Sequence, residues 1–204
     1  EQMARLLRES AEPLTIVATA PLTNVAALLL AHPELKANIA GISLMGGGLA
    51  HGNWTPAAEF NILADPEAAD VVFRSGLPIT MAGLDVTEQA WFSPEEFAAL
   101  PDTPVGRFAR AATAGPMQKN MARGAGGLCL HDVCPVLYLT HPELFTGRQA
   151  GVHVETRGTV TYAKTVTDLD SDAKFPERNV FVVLGVDRAG FAAHVTEALS
   201  SYAG

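Results

Sequence analysis

Cysteine is nearly absent from this 204-residue chain, which holds only Cys129 and Cys134. Two thiols cannot staple a secreted disulfide framework, and reduced cysteines in a cytoplasm are the simpler reading. Basic residues are also scarce: 14 Lys and Arg stand against 22 Asp and Glu, a formal net charge of −8. No basic patch or stripe interrupts that balance, which argues against nucleic acid as a partner. Charged residues make up 18% and hydrophobic ones 48% of the chain, a balance that excludes a mostly disordered polymer. Long apolar runs are missing as well. The longest, residues 25–31, falls far short of the roughly 20 residues that span a bilayer. The opening Glu-Gln-Met-Ala-Arg-Leu-Leu-Arg has no apolar h-region of a signal peptide. What is present is enough chain to bury roughly 70% of its unfolded surface in one large domain. The expectation is an acidic, cytoplasmic α/β protein that engages no membrane.

A helix start signal is also lacking. Met3, Leu6 and Leu7 lie at helical spacing, yet no Ser, Thr, Asp or Asn precedes them as an N-cap. Residues 14–18 then read as a buried strand, short and rich in β-branched side chains. Pro21-Leu22-Thr23-Asn24 leads into a helix ending near His32-Pro33. Residues 42–45 are the next strand, halted by Gly46, Gly47 and Gly48, and a long loop runs on to Asp65. Asp65 is a good N-cap, with Pro66 at the first helical position. Residues 78–82 give a third strand, and Ser93-Pro94-Glu95-Glu96 is a capping box. A longer helix over residues 105–123 is expected to break or kink at Gly115-Pro116. His131-Asp132 precede a short apolar helix at 133–139. Three antiparallel strands at 151–156, 160–166 and 180–186 and a closing helix at 188–202 complete the chain. Such alternation predicts one domain, residues 1–204, on a mostly parallel sheet flanked by helices.

In open α/β sheets, ligands bind at the carboxyl ends of the strands. Three segments fall there. The first, residues 18–24, is a strand-to-helix turn with polar side chains. The second runs from Met45 through the three glycines to Asn53, Glu59 and Asn61. It is neither Gly-x-Gly-x-x-Gly nor a P-loop. Glu59 and Asn61 are two apart, so on extended backbone they share a side. A carboxylate beside an amide suits neighbouring sugar hydroxyls, and an exposed polar loop is the alternative. The third is His131-Asp132, either a helix cap with an incidental imidazole or an acid next to a metal ligand. Asp168, Asp170 and Asp172 open like an EF-hand loop, but Ala173 and Asn179 replace its Gly and Glu. They read as a solvated acidic loop. Cys129 and Cys134 form no C-x-x-C pair, and a thiol nucleophile is weakly supported.

Together these segments resemble the nucleoside hydrolase family, the inosine–uridine-preferring N-ribohydrolases. Pro21-Leu22-Thr23-Asn24, Leu44-Met45-Gly46-Gly47-Gly48, Gly83-Leu84-Asp85-Val86-Thr87 and His131-Asp132 carry it in matching order and spacing. Ala58-Glu59-Phe60-Asn61-Ile62 with Asp65-Pro66-Glu67-Ala68-Ala69 is the most specific part. The resemblance implies a Rossmann-like α/β fold that hydrolyses the N-glycosidic bond of ribonucleosides through an oxocarbenium-like transition state. It implies a calcium ion, with the Thr19 carbonyl and Asp132 among its ligands, orienting water and the ribose diol. It also implies that Asn53, Glu59 and Asn61 hold the ribose hydroxyls, with Met45 at the same pocket. His131 matches a histidine that protonates the departing base in the family's purine-active members. A nucleoside or ribose partner and a homo-oligomer follow from the same resemblance.

The family's N-terminal Asp-x-Asp-x-Gly-x-Asp-Asp cluster does not occur in this sequence. The expectation is therefore the C-terminal two thirds of such a hydrolase, lacking its first strands. Its calcium ligand set would be incomplete and the chain inactive alone, with a free strand edge inviting association. The alternative is a non-catalytic riboside-binding or self-associating remnant. Pro116, Met117, Gln118 and Lys119 stand where relatives carry base-contacting aromatics, so nucleobase preference stays open.

Overall fold

The computed structural model describes residues 1–170 and 174–202. Short apolar runs form β1 (Leu14–Ala18), β2 (Ile39–Met45), β3 (Ile79–Ala82), β4 (Trp91–Phe92), β5 (Leu128–Cys129), β6 (Phe145–Val154), β7 (Thr165–Asp168) and β8 (Val180–Val186). Six of them make one sheet in the order β1-β2-β3-β8-β6-β7. The first four in that order are parallel, and β6 runs antiparallel to both β8 and β7. The alternation of helical and strand signals thus produces the mostly parallel sheet it implies. β4 and β5 form a separate antiparallel pair that propensity did not announce, since each has only two residues.

Helices cover both faces. Val182 and Val183 are consecutive on β8, and they point into two different hydrophobic clusters. The first cluster collects α1 (Gln2–Glu9), α2 (Thr23–Ala31) and α4 (Pro66–Phe73) around Ile42, Leu44, Phe73 and Met81. The second collects α5 (Leu84–Thr87), α6 (Pro94–Ala99), α7 (Pro104–Met121), α8 (Val133–Thr140) and α9 (Arg188–Ser201) around Phe92, Cys134 and Phe191. Ser93 accepts from the Glu96 N–H while the Glu96 carboxylate takes the Ser93 N–H, completing the expected capping box.

Four expectations need correction. β1 is not buried: it is a sheet edge, paired only with β2 among the described residues, and Leu14 and Val17 are 37% and 40% exposed. Burial depends on which strand stands outermost, and local composition carries no such information. The loop before Asp65 contains a helical turn, α3 (Phe60–Ala64), nucleated by the Glu59 carboxylate. The strand expected at 160–166 begins only at Thr165, because Glu155 accepts from the N–H groups of Arg157 and Gly158 and turns the chain first. Its partner β6 starts at Phe145 rather than 151. Asp172 lies outside the described residues, while Asp168 is occupied by the N–H groups of Asp170 and Phe175.

The fourth correction concerns α7, which runs unbroken through Pro116. A proline there removes the hydrogen bond to the carbonyl four residues back, on Ala112. Ala112 is exposed, so water can take that carbonyl and the helix continues. Pro116→Ala is therefore expected to stabilise the fold by about 1–2 kcal/mol, less than the full proline penalty because the unfolded chain loosens too. A urea titration would show the gain as a higher midpoint.

Candidate functional site

The carboxyl end of β2 is where the candidate residues assemble. Met45 closes the strand and is buried, and Gly46, Gly47 and Gly48 carry the backbone away from it. That turn is pinned from three sides. Thr165 Oγ1 pairs with both the N–H and the carbonyl of Gly48, each at 3.0 Å. Lys164 Nζ donates to the carbonyls of Gly48 (3.0 Å) and Leu49 (2.6 Å). Asp85, at the start of α5, accepts from the N–H groups of Leu49 (2.7 Å) and Ala50 (3.1 Å). Burial lowers the Lys164 pKa, and Asp85 opposes that shift.

Glu59 is the hub. It is only 3% exposed, and a buried carboxylate needs partners. Its Oε2 accepts from Gly47 N (2.9 Å) and Ile62 N (3.2 Å), and Asn61 N lies 2.9 Å from both oxygens. One side chain thus caps α3 and ties it to the glycine turn. Asn61, buried in the first turn of α3, donates its amide to the Met45 carbonyl at 3.0 Å and stands 3.4 Å from its sulfur. Asn53 Oδ1 accepts from Phe60 N at 3.0 Å. The extended backbone predicted for Glu59 and Asn61 ends at Glu59, yet their side chains still converge, because both bind the end of β2. Among the described residues, Asn53 Nδ2, Asn61 Oδ1 and a lone pair of Glu59 Oε1 are left for a ligand.

His131 and Asp132 approach from α8. The Ser43 hydroxyl donates to the Pro135 carbonyl at 2.7 Å, which anchors the first turn of α8 against β2. Val17 pairs with Ser43 in the sheet, so Thr19, two residues on, emerges at this same end. His131 Nδ1 lies 2.8 Å from the hydroxyl of Thr87, which is fully buried at the end of α5. Burial pushes the His131 pKa down, while Asp132, Glu88 and Glu59 pull it back. Asp132 is the N-cap of α8 but makes no side-chain cap bond, so the cap alternative fails. Although Asp132 is largely exposed, desolvation of its carboxyl raises its pKa and His131 lowers it.

Sequence reasoning assigned no role to Thr87, Asp85 or the pair His51–Glu88, whose Nε2 and Oε1 are 3.2 Å apart beside the glycine turn. The stretch holding Asp85 and Thr87 was visible as a motif, whereas nothing in the local sequence marks His51. The thiol alternative fares worse. Burial, with Glu88 adding to it, raises the Cys129 pKa, and fully buried Cys134 is pushed up to about 12. Neither is a thiolate at neutral pH.

The chain matches the family described as inosine-uridine preferring nucleoside hydrolase over residues 1–193. The pyrimidine-specific ribonucleoside hydrolase RihA of Escherichia coli (strain K12) is 46% identical across 100% of this chain and 66% of its own length. RihA of Shewanella woodyi is 44% identical, covering 99% of this chain and 66% of that protein. The chain thus spans slightly less than two thirds of the curated relatives it matches. In three dimensions it is similar to the purine-preferring ribonucleoside hydrolase from Gardnerella vaginalis, with a TM-score of 0.90 and 35% identity. That superposition covers 99% of this chain and 65% of the other. No helix among the described residues is long and apolar enough to cross a membrane. With the family's sequence pattern running through residues 1–193 and its fold reproduced, the chain belongs to the inosine-uridine preferring nucleoside hydrolases.

Proposed function

We propose that this chain supplies the sugar-gripping side of a site that hydrolyses the N-glycosidic bond of ribonucleosides. Pyrimidine ribonucleosides are the substrate class we favour, supported by the specificity in the names of the RihA relatives at 44% and 46% identity. The observation that carries the reading is the convergence of Asn53, Glu59 and Asn61 at the end of β2. Breaking the C1′–N bond develops positive charge on the ribosyl ring. A carboxylate fixed by three backbone N–H groups needs no reorganisation to face that charge. The free Asn61 Oδ1, Asn53 Nδ2 and Glu59 Oε1 offer two acceptors and a donor to vicinal hydroxyls, with Met45 behind them. The Thr87 hydroxyl, 2.8 Å from Nδ1, fixes the orientation of the His131 ring, whose proton we assign to the departing base.

A bound calcium ion would supply a polarised water. The Thr19 carbonyl and the Asp132 carboxylate are oxygen donors of the right kind, but they are two of about six to eight that calcium requires. Among the described residues, Asp132 belongs to no group of three acidic, histidine or cysteine side chains. The residues present do not hold the ion unaided. The Asp-x-Asp-x-Gly-x-Asp-Asp cluster is also absent from the sequence. We therefore read residues 1–204 as one partial domain that binds the sugar and does not turn it over alone. The incomplete oxygen set equally favours a second reading, a riboside-binding remnant.

Calorimetric titration with uridine and 2′-deoxyuridine tests the grip. Uridine is expected to bind at least tenfold more tightly, and Asn61→Ala to erase the difference. Equal binding of the two nucleosides by the unaltered chain would contradict the assignment of the clamp.

A further inference from the structure

A second cluster of metal-ligating side chains stands apart from the sugar clamp and shares no residue with it. His141 ends α8, Glu143 lies in the short 3-10 turn that follows, and His194 is on α9. One ligand atom from each of the three lies within 4.8 Å of the other two. His141 Nδ1 is 3.3 Å from Glu143 Oε1, and the imidazoles of His141 and His194 stack with centroids 3.8 Å apart. Glu197, one helical turn beyond His194, places a carboxylate oxygen 3.7 Å from His194 Nδ1. Among the described residues, no Lys or Arg pairs with Glu143 or Glu197.

We propose that His141, Glu143 and His194 bind a divalent transition-metal ion of the zinc class, with Glu197 or water as the fourth ligand. Four-coordinate zinc holds nitrogen and oxygen at about 2.0–2.2 Å, which sets neighbouring ligand atoms roughly 3.3–3.6 Å apart. His141 Nδ1 and Glu143 Oε1 stand at that spacing as a hydrogen bond, and the stacked imidazoles of His141 and His194 would have to turn apart for their nitrogens to converge on one ion. Two imidazoles exclude calcium, which takes oxygen ligands. The carboxylates supply the negative charge that a dication neutralises. The backbone beneath is fixed: Asp187 N donates to the Leu144 carbonyl at 2.7 Å. Gly190 leaves room for Leu144, since a Cβ there would meet Leu144 Cδ2 at 2.5 Å. The turn after α8 and the first turns of α9 are thereby locked together on either side of the cluster. An ion here would clip α8, whose other end carries Asp132, to α9.

Titration of the metal-stripped chain with zinc chloride, followed by calorimetry, reads the site. One zinc per chain is expected, with the affinity falling at least tenfold in His194→Ala and in Glu143→Gln. His153→Ala removes a histidine that pairs with Glu177 elsewhere on the surface, and its affinity should match the unaltered chain. Cobalt substitution gives an independent signature: the intense visible bands of a four-coordinate ion, lost in His194→Ala. Far-ultraviolet circular dichroism confirms that each variant is folded, and His194→Gln replaces His194→Ala should the latter unfold. Absence of zinc uptake, or equal uptake by the folded His194 and Glu143 variants, overturns the proposal.

Discussion

Glu59→Ala is expected to destabilise the chain by about 2–4 kcal/mol and to abolish uridine binding, because three backbone N–H groups lose a charged acceptor at once. Each hydrogen bond to a charged group contributes about 1.5–3 kcal/mol, and the three are not additive, since they share one side chain. Water entering the vacated space recovers part of the loss at Gly47 and at the first turn of α3. Glu59→Gln keeps the volume but turns one oxygen into a donor facing donors, so it should cost about 1–3 kcal/mol. Urea unfolding gives both values, and calorimetry with uridine gives the functional loss. A Glu59→Gln chain as stable as the original would show that the carboxylate is not the hub of this turn.

Gly47→Ala has the second large expected effect. Gly47 has φ +76, and a Cβ there would sit 2.8 Å from Met81 Cε and from Thr165 Cγ2 and Oγ1. Left-handed backbone costs an alanine about 1–2 kcal/mol, and crowding a packed site adds about 1–3 kcal/mol. The sum is about 2–5 kcal/mol. Displacing Thr165 would also undo its pairing with Gly48, so the clamp should loosen along with the fold. Gly76→Ala separates the two causes. Its φ is +77, but nothing lies within 4 Å of the added Cβ. It should cost only the backbone part, about 1–2 kcal/mol, and leave uridine binding intact. Equal destabilisation by the two substitutions, in parallel denaturant curves, would remove crowding from the explanation.

Much of the scaffold was legible because its signals are local. Leu14–Ala18 and Val180–Val186 are strands where their β-branched runs place them. Asp65 caps α4 through the Ala68 N–H, as its position before Pro66 implies. The parallel sheet followed from the alternation alone. What escaped depends on long-range placement. No property of Leu14 or Val17 says that β1 stands at an edge, and Pro116 looks like a helix breaker until the exposure of Ala112 is known. At the site, Glu59 and Asn61 were recognisable as neighbours, but the α3 turn between them was not. Its nucleus is Glu59 itself, satisfying N–H groups on both sides of the loop. Thr87 and His131 are 44 positions apart and meet only in the folded chain, where the end of α5 reaches the turn before α8. The cluster of His141, Glu143 and His194 is likewise invisible along the chain, since α9 brings its third member from 51 positions beyond Glu143 (194 − 143).

The proposed division of labour, with the sugar gripped by this chain, is open to one direct measurement: ribose release from uridine. The 204 residues would be assayed alone and joined to the part of the Escherichia coli RihA relative that they do not cover. The joined protein should release ribose in the presence of calcium, and the 204 residues alone should release none above background. Turnover by the 204 residues alone, or a folded joined protein that binds uridine without cleaving it, would contradict the view that this chain grips the sugar while carboxylates outside it activate the water.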